Sequence, residues 1–172
     1  LDIQCLVLKH TPKKFETYED EIQYLIGNER RNKFISKLSI DLKGNTLILY
    51  SRVESHGRIL YDMINNFVTS DRKVFFIHGG VDAEDREKVR EITEQENNAI
   101  IVASYGTFST GINIRRLHNV IFASPSKSRV RNLQSIGRVL RKGKDKVKAK
   151  LYDIADDLTS GARKNYTLNH FI

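Results

Sequence analysis

The sequence predicts an α/β fold, a three-layer sandwich in which helices cover both faces of a mostly parallel central sheet. Short continuous apolar runs, typical of strands buried on both faces, recur along the chain. They occupy residues 46–50, 73–77, 99–103 and 119–123. Segments with apolar residues at helical spacing separate them, and turn residues such as Gly79 and Gly80 follow directly where a run ends. This alternation predicts helices packed on both faces of the sheet.

The two ends of the chain add further elements. Residues 1–9 predict a first strand, and a helical segment, possibly two helices, follows a cap formed by Thr17 with Asp20. Asp82 with Asp85 has the same form. Residues 128–141 predict a helix, and residues 146–154, where lysines alternate with apolar residues, predict a strand with one wet, cationic face. The lysines between 142 and 150 favour either contact with DNA or a solvated edge that resists aggregation.

Length and composition limit the classes of protein. A chain of 172 residues suffices for one full-sized domain with a small appendage. We expect one domain over residues 1–158, with a strand and helical lead-in at 1–40, motifs within 46–141 and a tail at 159–172. No stretch approaches the roughly 20 apolar residues that cross a bilayer. The single cysteine excludes an internal disulfide and a multi-cysteine zinc site. We expect a cytoplasmic fragment of a longer protein, with no metal site of its own.

The charge balance favours a polyanionic partner. Lysine and arginine number 29 against 21 acidic residues, which gives a net charge of +8. Such a surplus favours binding to nucleic acid through phosphate neutralisation and counterion release. Net charge alone does not separate a nucleic-acid-binding protein from an ordinary basic domain.

A phosphate-binding loop of the form G-x-x-x-x-G-K-[ST] is absent from the sequence. Gly106 and Gly111 have the glycine spacing, but Ile112 and Asn113 follow where lysine and a hydroxyl residue are required. The pair at residues 20–21, Asp-Glu, resembles an acidic metal-binding pair only superficially, because it follows no apolar strand. We expect that pair to lie on a solvated helix face.

The predicted helix at 128–141 carries a cationic stripe. At about 100° per residue, Gln134, Arg138 and Arg141 share one face, opposite the apolar residues. Gly137 beside Arg138 allows close approach to the backbone. Planar guanidinium groups match the oxygens of a triphosphate, and arginines supplied across an interface need no local phosphate loop. The missing loop therefore argues for a partner domain, although solvated arginines on an amphipathic helix remain the alternative.

Four segments in order carry a family resemblance, at residues 47–52, 77–80, 103–114 and 134–141. They resemble motifs IV, IVa, V and VI of the second RecA-like domain of superfamily 2 helicases. The resemblance implies that an N-terminal RecA-like domain of the same polypeptide carries the phosphate loop and the Mg²⁺ ligands. ATP would lie between the two domains, and this fragment alone should be inactive. Arg138 and Arg141 would be arginine fingers, and the nucleotide would face Gln134, Gly137, Gly111 and Asn113.

The same resemblance implies a nucleic-acid-binding rim where the strands end. Small hydroxyl groups, exposed amides and an arginine suit phosphates better than bases. The implied residues are Ser51, Arg52, Gly79, Gly80, Ser104 and Thr107. Ordinary strand-end capping is the alternative for Ser51 and Ser104, and Asn113 stands where many relatives have aspartate.

The implied activity is ATP-dependent helicase or translocase action on branched or single-stranded DNA in recombination and repair. A non-enzymatic nucleic-acid-binding domain and an RNA helicase remain alternatives.

Overall fold

A computed structural model of the chain describes residues 2–69, 71–111, 114–125, 149–159 and 165–167. The six strands in these segments form one sheet, and every pair of neighbouring strands is parallel. The predicted α/β sandwich is confirmed. None of the helices in these segments is long and apolar enough to span a bilayer.

The elements alternate along the chain much as the apolar pattern predicts. A π-helical turn, Val53–Gly57, leads directly into the helix that begins at Arg58. The strands are β1 (Asp2–Lys9), β2 (Thr46–Tyr50), β3 (Val74–Ile77), β4 (Ile100–Ser104), β5 (Asn119–Phe122) and β6 (Lys150–Asp157). Their order across the sheet is β1-β6-β5-β2-β4-β3. The helices are α1 (Tyr18–Ile26), α2 (Glu29–Asp41), α3 (Arg58–Phe67), α4 (Ala83–Gln95) and α5 (Tyr105–Gly111). The predicted helix at 128–141 lies outside the described residues.

Two separate cores lie on the two faces of the sheet. Successive side chains of a strand point to opposite faces, so Leu47 and Leu49 of β2 pack in one core while Ile48 and Tyr50 pack in the other. The first core includes residues of α5, and the second includes Ile35 of α2 and Leu60 of α3. Because both faces are covered, a strand such as β2 is buried at every position rather than at alternate ones.

Of the two caps that the sequence predicts, one forms, and a third helix has a cap that was not predicted. The Thr17 hydroxyl accepts a hydrogen bond from the Asp20 amide at 3.1 Å, as predicted. Asn28 caps α2 by accepting from the Arg31 amide at 3.0 Å. Asp82 stands at the N-cap position of α4, but its side chain makes no capping hydrogen bond.

The last strand corrects the sequence analysis. β6 runs over Lys150–Asp157 rather than 146–154, and residues 146–148 lie outside the described segments. The predicted wet, cationic face is wrong for the described strand, because residues 151–156 are buried. β6 pairs with β1 on one side and with β5 on the other, so β6 is an interior strand. Of the alternating lysines, Lys150 is the exposed first residue of β6, and those at 146 and 148 lie outside the described residues.

The acidic pair of α1 also departs from its prediction. Glu21 is 1% exposed, so the expected solvated face is wrong for this residue. Its carboxylate accepts hydrogen bonds from the backbone amides of Tyr166 at 3.1 Å and Thr167 at 2.7 Å. A carboxylate with such donors is stable when buried. Glu21 thereby holds a short piece of the predicted C-terminal tail against α1.

A buried ion pair joins α2 to the sheet. Arg31 donates to both carboxylate oxygens of Asp156, from Nε at 2.9 Å and from Nη2 at 3.0 Å, and both side chains are almost fully buried. His10 Nε2 lies 2.8 Å from Asp156 Oδ1. Burial by itself would raise the pKa of the Asp156 carboxyl, but the attraction of Arg31 and the hydrogen bonds from His10 and Arg31 lower it.

Removing one member of this pair should be costly. Asp156→Ala leaves the Arg31 guanidinium buried and uncompensated, so we expect the free energy of unfolding to fall by about 3–5 kcal/mol. Urea unfolding of the variant and the wild type measures the loss.

Two comparisons make the result interpretable. Glu54→Ala removes a solvent-exposed pair with Arg58 and should leave the unfolding midpoint nearly unchanged. The double variant Arg31→Met with Asp156→Leu, which removes both charges, should lose less than Asp156→Ala. A loss from Asp156→Ala no larger than that from Glu54→Ala would contradict the assignment.

Candidate functional site

The strand exits meet at one edge of the sheet. Because all the strands are parallel, the residues that follow β5, β2, β4 and β3 stand side by side along the carboxyl edge. They are Ser124, Ser51 with Arg52, Ser104 with Thr107, and Gly79 with Gly80. The fold thus brings the predicted rim residues together, and we call this set, with Ser124, the carboxyl rim.

A small cavity of about 240 Å³ opens at the β2 and β5 exits. Ser51, Arg52 and Ser124 line it together with apolar side chains of α1. Arg52 Nη2 donates to Glu19 Oε2 at 2.6 Å, and both side chains are exposed. The hydrogen bond from Arg52 lowers the pKa of the Glu19 carboxyl. The arginine is therefore held at the cavity mouth by a pair that water screens and that a stronger anion can displace.

The hydroxyl groups at the β4 exit are engaged locally. Ser104 Oγ accepts from the Thr107 amide at 3.2 Å and donates to Thr107 Oγ1 at 2.6 Å. Ser104 thus caps α5, which matches the alternative of strand-end capping. At the β2 exit the Ser51 amide donates to Ser124 Oγ at 3.1 Å.

The β3 exit presents an open glycine. Gly79 and Gly80 are exposed, and a Cβ added at Gly79 would meet nothing within 4 Å. At Gly80 a Cβ would come within 2.9 Å of His78 Cε1, because the Gly80 amide donates to His78 Nδ1 at 3.0 Å. The ring of His78 shapes this turn, and the backbone at Gly79 is open to close approach by a ligand.

Sequence reasoning missed a buried polar chain beneath the rim. Asn32 Nδ2 donates to the Ile26 carbonyl at 2.8 Å, so its Oδ1 must accept from His56 Nε2, 3.1 Å away. With its proton on Nε2, the ring accepts at Nδ1 from Ser124 Oγ, 2.6 Å away. Ser124 Oγ in turn accepts from the Ser51 amide. This chain positions the first residue after β2, and no motif or spacing in the sequence marks it.

The chain requires a neutral histidine. His56 is fully buried. Burial, with a smaller contribution from the Arg31 charge, lowers the pKa of His56 to about 3, although Asp156 opposes the shift. A proton on Nδ1 would also remove the acceptor that Ser124 needs.

The predicted nucleotide-facing residues are described only in part. Gly111 is the last residue of α5. Asn113, Gln134, Gly137, Arg138 and Arg141 lie outside the described residues, so their assigned roles stay predictions. Within the described segments no group of three or more His, Cys, Asp or Glu side chains could hold a metal ion.

Comparisons with known proteins identify relatives of this arrangement. Residues 29–143 match the family model described as the helicase conserved C-terminal domain. The chain is 39% identical over 171 residues to the ATP-dependent DNA helicase uvsW of Enterobacteria phage T4, covering 94% of this chain and 33% of that protein. It is also 32% identical over 117 residues to a protein of Acanthamoeba polyphaga mimivirus named as an ATP-dependent RNA helicase, covering 66% of this chain and 21% of that protein.

Solved structures share the fold. The crystal structure of T4 UvsW superposes with a TM-score of 0.80 at 38% identity, over 98% of this chain and 36% of that chain. The E. coli DEAD-box protein SrmB matches with a TM-score of 0.58 at 16% identity, over 74% of this chain and 71% of that chain, which indicates the fold alone. The chain therefore spans about a third of its phage relative.

The buried histidine predicts a specific pH dependence. Burial depresses the pKa of His56 in the folded protein from its ordinary 6.5 to about 3, so the unfolded chain binds a proton first as pH falls. The contribution of neutral His56 to the free energy of unfolding is fully present above pH 6.5. It is lost between pH 6.5 and about 3, by about 1.4 kcal/mol per pH unit. Urea unfolding at several pH values should show a steeper decline for the wild type than for His56→Gln. Equal slopes would show that His56 titrates normally in the folded protein.

Proposed function

Because this chain belongs to the helicase conserved C-terminal domain family, we propose that it is the C-terminal motor half of an ATP-dependent DNA helicase or translocase. The observation that supports DNA as substrate is 39% identity to a protein named as a DNA helicase, over nearly the whole chain. The relative named as an RNA helicase is less similar and matches a shorter part of this chain. Because a relative with that name exists but is less similar, RNA is the second candidate substrate.

The proposed role in ATP hydrolysis is to complete a site that another domain begins. An N-terminal RecA-like domain of the same polypeptide would bind the triphosphate and supply the Mg²⁺ ligands. Arg138 and Arg141 would act as arginine fingers on the γ-phosphate, where guanidinium groups stabilise the charge that spreads over the transferred group. Gln134, Gly137, Gly111 and Asn113 would face the nucleotide. This chain by itself would not hydrolyse ATP.

The carboxyl rim would hold the nucleic-acid backbone. Gly79 leaves room for close approach, and Arg52 offers a guanidinium whose present partner, Glu19, is solvent-exposed. A phosphate could take the place of Glu19 because charge-assisted bonds to phosphate are strong and can be bidentate. The hydroxyls of Ser104 and Thr107 already bond each other, so their contribution would be to shape α5 and its entrance rather than to supply free donors.

The two activities would be coupled by domain movement. ATP binding would close the two RecA-like domains on each other, and hydrolysis would reopen them. Each cycle would move the protein along one DNA strand as the two domains exchange their hold on the backbone. Unwinding or branch migration in recombination and repair, on branched or single-stranded DNA, is the task we propose.

A non-enzymatic role is the rival from a different class. A domain with this fold that only bound nucleic acid would show salt-sensitive binding, but no ATP hydrolysis in the full-length protein. ATPase measurement of that protein with forked DNA, single-stranded DNA and single-stranded RNA separates the candidates. Stimulation by RNA and not by DNA would favour the RNA helicase, and no ATP hydrolysis with any substrate would favour the binding protein.

The arginine fingers give the most direct test. In the full-length protein, Arg138→Ala or Arg141→Ala should lower DNA-stimulated ATP hydrolysis by about 10³- to 10⁵-fold, because the transition-state charge loses its partner. ATP binding, measured with a fluorescent analogue, should be mostly retained. Arg90→Ala, which removes an exposed arginine of α4 paired with Glu87, is the matched control. Unchanged turnover in both finger variants would refute the assignment.

Arg52 gives a separate test of the rim. Arg52→Gln should weaken binding of single-stranded DNA and reduce the slope of log K against log salt by about 0.7, the loss of one phosphate contact. Glu19→Gln should tighten binding, because it frees Arg52 from its carboxylate. Fluorescence anisotropy over a salt series measures both, with Arg90→Gln as the control for loss of one exposed arginine. If Arg52→Gln behaves like that control, Arg52 does not hold the backbone.

A further inference from the structure

A second and larger cavity, of about 420 Å³, lies at the carboxyl end of β1. It is bounded by the segment that follows β1, by α1 and by the start of α2. Its lining contains four basic side chains, two aromatic rings and no carboxylate among the described residues. The lining residues are Leu8, Lys9, His10, Thr11, Tyr24, Asn28, Arg30, Arg31 and Phe34. We call this space the β1 cavity.

The positive charge of the β1 cavity is only partly neutralised. Lys9 and Arg30 are exposed, and neither forms an ion pair within the part of the chain that the structure describes. Asp156 lies behind the wall, but its two oxygens already accept from Arg31 and His10. The carboxylate of Asp157 also attracts Lys9 at longer range while it accepts from Thr159. Two mobile cations therefore remain for an anion.

Arg31, which lines the cavity, also has one donor without a partner among the described residues. Arg31 uses Nε and Nη2 on Asp156, whereas its Nη1 is buried and has no hydrogen-bond partner among the described residues. An unpaired buried donor is unfavourable unless a ligand or water completes it. Arg31 also lies in the first turn of the 13-residue helix α2, whose N-terminal dipole favours an anion. The donor and the dipole both predict negative charge in this space.

Two aromatic rings in the lining indicate that the anion belongs to a ligand with a ring that can stack. Phe34 lines the cavity and is 38% exposed, so the face of its ring is accessible to a ligand. Tyr24 also lines the cavity, with Lys13 Nζ 4.6 Å from its ring centroid. An exposed ring beside cations is the arrangement that binds single-stranded nucleic acid, in which bases stack while phosphates meet lysine and arginine. A free phosphate would use the cations and leave the ring unused.

The β1 cavity lies where a strand of nucleic acid bound at the carboxyl rim could continue. β1 and β2 are parallel strands of the same sheet, separated by β6 and β5. Three strand spacings separate β1 from β2 by about 14 Å across the sheet, and the register places Lys9 three residues, or about 10 Å, beyond the level of Tyr50 along the strands. A strand of nucleic acid held at Arg52 would reach the β1 cavity within a few nucleotides.

We propose that the β1 cavity is a second nucleotide site, which binds one backbone phosphate of a single strand through Lys9 and Arg30 and stacks its base on Phe34. The choice of nucleic acid as ligand rests on the proposed function. The site itself extends the track beyond the carboxyl rim toward the outer edge of the sheet, and it requires neither ATP nor the arginine fingers.

Binding of a fluorescein-labelled oligothymidine to this chain, followed by anisotropy over a salt series, tests the proposal. The double variant Lys9→Gln with Arg30→Gln should lower the slope of log K against log salt by about 0.7, because the one phosphate contact of the site is lost. Lys33→Gln with Lys37→Gln removes the same charge from exposed positions of α2 that do not line the cavity. This control should leave the slope unchanged.

The aromatic contact has its own variant. Phe34→Leu keeps an apolar side chain and should weaken oligothymidine binding about five- to tenfold with the salt slope unchanged, because a stacked ring displaces no counterions. Equal thermal midpoints establish that the variants fold. Inorganic phosphate serves as competitor to separate a nucleotide site from a simple anion site.

Three results would overturn the proposal. They are equal slopes for the cavity variant and the wild type, equal losses for the cavity and control variants, or displacement of the oligonucleotide by inorganic phosphate with no effect of Phe34→Leu. Loss of ATP hydrolysis in the full-length protein leaves this measurement untouched, so failure of the proposed motor function and failure of the β1 cavity are distinguishable.

Discussion

The buried pair of Arg31 and Asp156 is the interaction on which the rest of this structure depends. It joins α2 to an interior strand across 125 residues of sequence. Two ions removed from water are tolerable only when their geometry is good and further hydrogen bonds satisfy their remaining atoms. Here His10 shares the carboxylate, and Nη1 of Arg31 is left without a partner among the described residues. The pair therefore fixes how α2 meets the carboxyl edge. Both candidate binding regions lie beside this junction.

Neighbouring residues of α2 connect the junction to those two regions. Arg31 forms part of the wall of the β1 cavity, whereas Asn32 begins the polar chain through His56 and Ser124 to the Ser51 amide. Such a chain is rigid when every donor and acceptor is matched. A proton added at His56 Nδ1 would remove the acceptor of the Ser124 hydroxyl. The backbone at the β2 exit is thus positioned from beneath by neutral groups, while the charged groups remain at the surface, where they can exchange partners.

This division suits a domain that grips and releases a polyanion. The exposed pair of Arg52 with Glu19 is weak in water, so its arginine can transfer to a phosphate at small cost. The buried pair cannot exchange in this way without exposing an unpaired charge. A motor domain of the kind proposed needs both properties, a framework that does not deform and surface cations that bind reversibly. The predicted finger residues, Arg138 and Arg141, would add the role in ATP hydrolysis that neither surface supplies.

The amino-acid pattern by itself determined the class of fold, the strands β1 to β5 within a residue or two, the Thr17 cap and the edge at which Ser51, Gly79 and Ser104 meet. These features depend on local periodicity and on the rule that parallel strands end together. The tertiary structure alone decided that β6 is interior, that Glu21 is buried under the tail and that Arg31, His56 and Asp156 form polar networks. Their partners lie 24 to 146 residues away. Periodicity reports which face of an element is apolar, but a polar residue is buried only when a distant partner satisfies it, and that partner is chosen by packing.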